Sequence, residues 1–295
     1  MDVIALGAAV ASATGFAAST SLQHHAAGSA PEGTKGLGAF VRYLLSKPSW
    51  LVGQFLALMS FFLHAVALHF GPLALVQPIV VSGVVIAVPA RSALSKRWPS
   101  TAELVAVGVA TVGLAVFLVA SDPSEGHNAE PGWGPFLFTL VGMAAAGLAV
   151  WASVVLSQQL HRPRRAAAML GVSAGIFFGV VAGLVKLTIG IWVDDGAVHM
   201  LSTWPLYLLL LCGAGGILSN QRAYTLAGLS ASLPMLNIVN VVVALFFGLL
   251  IFDEVPAHGA LAVALEIGAL ATVMLGLLMV ARVEEVDTAD VPRPV

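Results

Sequence analysis

Charge is the scarcest property of this chain. Lys, Arg, Asp and Glu make up 9% of its 295 residues, against about 25% in a soluble domain. There is one cysteine, Cys212, so no intrachain disulfide can form and the redox compartment stays open. Metal-site spacings such as HExxH and CxxC are missing, as are GxSxG and P-loop patterns. An enzyme and an ATP-driven pump therefore have no support, and no cofactor is implied. The formal net charge is −2 with no basic patch, which argues against nucleic acid as a partner.

What is present is apolar. Hydrophobic residues make up 59% of the chain, which places most of it in lipid. A membrane helix needs about 20 apolar residues. The sequence predicts an all-α polytopic membrane protein with nine spans: 3–22, 49–70, 73–92, 102–120, 135–157, 167–192, 205–227, 229–251 and 258–281. The joints at Gly71-Pro72 and Ala227-Gly228 are too short for loops and imply tight helical hairpins. The stretch 36–46 is too short to cross and is expected at the interface. Met1-Asp2 carries no basic region, so the first apolar run reads as a span rather than a secretory signal.

Numbering the loops alternately puts Lys35, Arg42, Lys47, Arg91, Lys96, Arg97, Arg162, Arg164, Arg165, Arg282 and Arg293 on one side. That is eleven of the thirteen basic residues. The other side has no Lys or Arg and carries Asp122, Glu125, Glu130, Asp194, Asp195, Asp253 and Glu254. The positive-inside rule then sets the N-terminus outside and the C-terminus in the cytoplasm, in the cell's inner (plasma) membrane.

The chain also repeats itself. ALHFGPLALVQP at 67–78 aligns with AYTLAGLSASLP at 223–234, and the same offset of 156 pairs Val85 with Val241, Ala106 and Val107 with Ala262 and Val263, and Leu114 and Ala115 with Leu270 and Ala271. Spans two to four map onto seven to nine. A shift of five spans makes the copies inverted, the mark of a two-repeat transporter. The expected organisation is one membrane domain: a first half at 1–120, a linker at 121–134, a second half at 135–282, and a disordered tail at 283–295.

Three charges fall inside spans: Lys186, Arg222 and Glu266. Each costs about 2.5–3.5 kcal/mol or more at the bilayer centre. Lys186 follows Gly171, Gly175, Gly179 and Gly183, a spacing-of-four stripe that lets another helix approach closely. It shares that face, so it points into protein, or else it snorkels to the surface. Glu266 lies at a similar depth, and a Lys186–Glu266 ion pair would ease both burials, either as a staple or as a titrating switch. Arg222, beside Asn220 and Gln221, either snorkels or serves as a ligand or gate on the cytoplasmic side. Glu103 is expected at a water-accessible edge.

Pro78 and Pro234 each fall about one turn into the second helix of a hairpin. Each removes a backbone donor, and frayed backbone at membrane depth is tolerated only beside protein or a cavity. Gln77 and Ser82 flank one break. Ser232, Asn237 and Asn240 flank the other. These two breaks are the expected solute site, with helix gluing by the amides as the alternative. His64 and His69 read as packing residues, and His24 and His25 fall in the first cytoplasmic loop.

The run 65–79 resembles the signature of the drug/metabolite transporter (EamA-like) superfamily, and within it the NIPA-like magnesium transporter family. Ala67, Phe70, Pro72, Leu75, Val76 and Pro78 fit that pattern. Lys186, late in span six after small residues, and the pair Arg222-Ala223 fit too. The resemblance implies transport of Mg2+ or another divalent cation. The chain departs from the family in lacking an acid directly after span three. One deep carboxylate against two cations suits a bare divalent ion poorly and a small organic solute better. A hydrated ion held by Asn237, Asn240, Gln77 and carbonyls, gathered by Asp194, Asp195, Asp253 and Glu254, is the other expectation. The implied partners are the bilayer, a small solute or cation, and a second copy of the chain. A non-transporting membrane scaffold is the reading from a different class.

Overall fold

The computed structural model describes residues 3–28, 37–83, 85, 99–120, 129–226, 229–254 and 259–289. Among them are ten helices: α1 (Val3–Gly28), α2 (Leu37–Leu45), α3 (Pro48–Phe70), α4 (Leu73–Val81), α5 (Thr101–Ala120), α6 (Trp133–Gln158), α7 (Pro163–Ser202), α8 (Trp204–Leu226), α9 (Leu229–Ile251) and α10 (Ala260–Ala289). Seven of these (α1, α3, α5, α6, α7, α9 and α10) are long and apolar enough to cross a membrane. The protein is thus an all-helical, multi-pass membrane protein. Outside faces carry bare Leu, Val, Phe and Trp side chains throughout, as lipid-facing helices must when the solvent is itself apolar.

Local chemistry explains the ends. Pro48 and Pro163 open α3 and α7 at the first helical position, where the missing N–H costs nothing. Extended backbone at Gly71 and Pro72 separates α3 from α4. Ser100 and Glu103 form a reciprocal capping box at α5: Ser100 N–H donates to Glu103 Oε2 at 2.8 Å, and Glu103 N–H to Ser100 Oγ at 3.2 Å. Glu103 is buried, so the expectation of a water-exposed edge is corrected. Trp204 Nε1 donates to the Pro131 carbonyl at 2.9 Å, tying the start of α8 to the segment before α6.

Several expected boundaries shift. Helix α1 runs past 22 to Gly28, so His24 and His25 belong to it rather than to a loop. Helix α7 continues past 192 to Ser202, kinked at Gly196 in the left-handed region (φ 86°). Helix α10 reaches Ala289, so the tail expected to be disordered is helical over 283–289. Residues 290–295 lie outside the described residues, as do 86–98 of span three and its loop, 121–128 of the linker and the joint at 227–228. Helix α8 has 23 residues, but its SNQR stretch at 219–222 dilutes its apolar character.

The glycine stripe is a packing seam. A Cβ at Gly171 would strike Ser232 O. At Gly175 it would lie 2.6 Å from Leu236 O, and at Gly179 2.8 Å from Asn240 O; at Gly183 it would strike the Phe247 ring. Residue numbers rise together on α7 and α9, so these two helices run parallel. Helix α8 crosses α7 the other way: Phe177 meets Gly215, and Ser173 Oγ lies 3.2 Å from Ser219 Oγ. The N-terminal helices behave alike. Gly15 faces Ser60 and Gly53 faces Leu22, so α1 and α3 are antiparallel; Ala5 meets Gly71 and Ala13 meets Gly83, so α1 and α4 are parallel. Helices α5 and α10 are antiparallel, with Gly113 on Ala269 and Val273, and Gly276 on Ala110.

Candidate functional site

The two proline-broken helices are neighbours, for α4 packs against α9. Pro78 and Pro234 are both inside helices and both buried. Val81 and Val85, beyond the first break, share an apolar cluster with Val241, beyond the second. Gln77 is almost fully buried, with its amide hydrogen-bonded to His64 Nε2 at 3.3 Å. His64 Nδ1 is buried with no hydrogen-bond partner among the described residues.

On α9, Asn237 is buried and Asn240 half-buried. Asn240 Oδ1 and Ser232 Oγ have no partner among the described residues. On α8, Gln221 Nε2 donates to Gln23 Oε1 of α1 at 3.1 Å, and Gln23 passes the chain on to Ser19 Oγ at 2.8 Å. Asn220 Nδ2 donates to the Tyr224 hydroxyl at 2.9 Å. The oxygens Gln221 Oε1 and Asn220 Oδ1 are likewise left without partners. Buried polar atoms without partners are scarce in folded proteins, and here four of them are oxygens on α8 and α9.

Lys186 points into the protein. Its side chain is 17% exposed and its Nζ lies 2.5 Å from Glu254 Oε1, whose side chain is fully buried. The partner expected from depth, Glu266, is therefore replaced. Glu266 sits half-buried on α10, a helix that packs on α5 and α9. Arg222 is exposed, in keeping with snorkelling. Asp194, Asp195 and Asp253 are exposed too, whereas Glu254 is not the outer collecting acid that its loop position suggested.

A left-handed residue just past the end of α9 explains Glu254. Phe252 N–H and Glu254 N–H both donate to Gly248 O at 3.1 Å, with Asp253 in the left-handed region at φ 53°. The turn folds Glu254 back onto the start of α4, where its carboxylate accepts from Leu73 N–H at 3.1 Å and Ala74 N–H at 3.2 Å. These are donors that a helix N-terminus leaves unsatisfied. The carboxylate thus meets a lysine and the positive end of a helix dipole at once. Phe252 stacks on Phe247 and lies under Lys186 Nζ, 5.1 Å from its ring centroid. Sequence reasoning missed this arrangement. The available signal was an acid just past a helix C-terminus, a place the dipole disfavours unless something else holds it.

Among the described residues, no three His, Cys, Asp or Glu side chains converge as a metal cage.

No family model matches the chain. No solved structure matches it either. It is 29% identical over 255 residues to an uncharacterised protein of Corynebacterium glutamicum, covering 86% of each chain.

Proposed function

We propose that the chain is a secondary transporter of the drug/metabolite type, working by alternating access around the α4 and α9 breaks. The observation that carries this reading is the packing of those two proline-broken helices against each other. Such breaks at a repeat interface are where transporters of this design place their solute.

Helix directions support the nine-span, inverted-repeat reading. Parallel α7 and α9 need an odd number of crossings between them, which α8 supplies by spanning as well. Helix α1 stands to α3 and α4 as α7 stands to α8 and α9. Helices α5 and α10, related by the offset of 156, are antiparallel and meet at Gly113 and Ala269, which are themselves 156 apart. That is the contact an in-plane two-fold axis would generate. The positive-inside pattern then puts the N-terminus outside, in the inner (plasma) membrane.

For the substrate, the first reading is a hydrated divalent cation such as Mg2+. The unpartnered oxygens of Asn220, Gln221, Ser232 and Asn240 suit the hydrogens of an ion's water shell. Lys186 is neutralised by Glu254 and no longer repels a cation. The lack of a three-ligand cage among the described residues favours a second reading, a small organic solute bound by the same amides.

The test is Mg2+ entry into proteoliposomes with a trapped indicator, comparing wild type with Asn240→Leu and Glu266→Gln. Saturable entry that Asn240→Leu abolishes in folded protein supports the cation reading. Entry lost only in Glu266→Gln moves the ion path to α10. No entry from folded, inserted protein turns the search to organic solutes. Variants that alter assembly alone return the protein to the scaffold class.

A further inference from the structure

The Lys186–Glu254 contact joins three elements far apart in sequence. Glu254 comes from the turn after α9, Lys186 from α7, and the Leu73 and Ala74 amides from the α3–α4 hairpin. Both broken helices are therefore held at the same end of the bundle: α4 by its first turn and α9 by its last. The contact borders an apolar cluster that includes Phe252, Phe247, Leu184 and Leu187, and the one cysteine, Cys212, is buried in the same cluster.

We propose that Glu254 is the gate at this end of the solute path, closed when its carboxylate sits on the α4 N-terminus and Lys186, and open when it leaves. This deepens the transport reading above and rests on it. The chemistry suits a reversible contact. The bonds are made by one carboxylate on a short turn, and the groups it leaves are N–H donors and an ammonium that water can satisfy. Glycine at 248 is part of the design, since a Cβ there would lie 2.5 Å from Glu254 Oε2. Here the carboxylate accepts from two backbone amides as well, so a lysine at 254 could not replace it.

Cys212 is the reporter. The Ser173–Ser219 and Phe177–Gly215 contacts set the α7–α8 register and bring Cys212 level with about residue 180. By helical rise that is about 9 Å deeper than Lys186. The experiment is labelling of Cys212 by a membrane-impermeant maleimide, in right-side-out and inside-out vesicles. It compares wild type, Glu254→Gln, the double variant Lys186→Met/Glu254→Gln, and the swap Lys186→Glu/Glu254→Lys, with Cys212→Ala as blank.

The gate predicts slow labelling of wild type and labelling at least ten-fold faster in Glu254→Gln and in the double variant, from one side only. It also predicts that the swap fails to restore protection. The double variant leaves no uncompensated charge, so it carries the test should the single variant fail to fold. Wild-type rates in folded double variant, equal acceleration from both sides, or protection restored by the swap would each overturn the gate. The readout needs no solute, so a missing Mg2+ flux in proteoliposomes would count against the cation reading and leave the gate result standing.

Discussion

Replacing Gly175 by valine should force α7 and α9 apart. A Cβ there would lie 2.6 Å from Leu236 O, 2.9 Å from Val239 Cβ and 3.1 Å from Asn240 N. Two of those atoms are backbone and cannot rotate away. Reaching ordinary contact needs a separation of about 0.8 Å, and a radial gap of 0.5–1 Å forfeits about a quarter to a half of each contact along the seam. Overpacking typically costs about 1–3 kcal/mol, and valine with two γ-carbons belongs at the upper end. Valine is a better helix former than glycine by only about 0.3–0.5 kcal/mol, so the net expected loss is about 2 kcal/mol. Gly190, on the same helix, has nothing within 4 Å of the place a Cβ would occupy. Gly190→Val should therefore stay within about 0.5 kcal/mol of wild type. Unfolding in mixed micelles with rising dodecyl sulfate fraction measures both. Equal stability of Gly175→Val and wild type, or equal damage at 175 and 190, would refute the seam.

Four further outcomes are expected. Glu103→Ala removes half of the α5 capping box and should cost about 1 kcal/mol in the same assay. Gln77→Leu takes away the bond to His64 Nε2 and leaves that buried ring without a partner, a loss of about 1–3 kcal/mol. A double-mutant cycle on Lys186 and Glu254 should show coupling of roughly 3 kcal/mol, while Lys186 and Glu266 should add to within about 0.5 kcal/mol. Arg222→Gln, at an exposed position, should leave stability unchanged within about 0.5 kcal/mol.

Much of the helical layout was legible from residue order. Span eight, 229–251, coincides with α9, and spans four, five and seven fall within two residues of α5, α6 and α8. Long apolar runs with polar or Pro-Gly punctuation leave little choice, because lipid admits only internally bonded helices. The glycine stripe also announced a seam, since spacing four defines one face. The partner of Lys186 was not legible. Depth along a helix can be counted from the sequence, but azimuth cannot, and two acids lay at workable depths. The left-handed turn at Asp253 decided between them; aspartate tolerates that conformation, but its presence does not say where the next side chain will point.

Composition and run length together pointed to a multi-pass helical membrane protein: a chain with so few charges cannot coat its apolar surface for water, and apolar runs of about 20 residues fit helices that cross lipid. The offset of 156 was visible as well, because it is a spacing of like residues in the sequence itself. Tertiary structure decided which helices touch and in which direction. It set α7 alongside α9, packed the two proline-broken helices α4 and α9 against each other, and closed Glu254 onto the amides of a helix 181 residues earlier in the chain. Those contacts depend on the rotation of each helix about its own axis, and that rotation is settled only when every neighbour has packed.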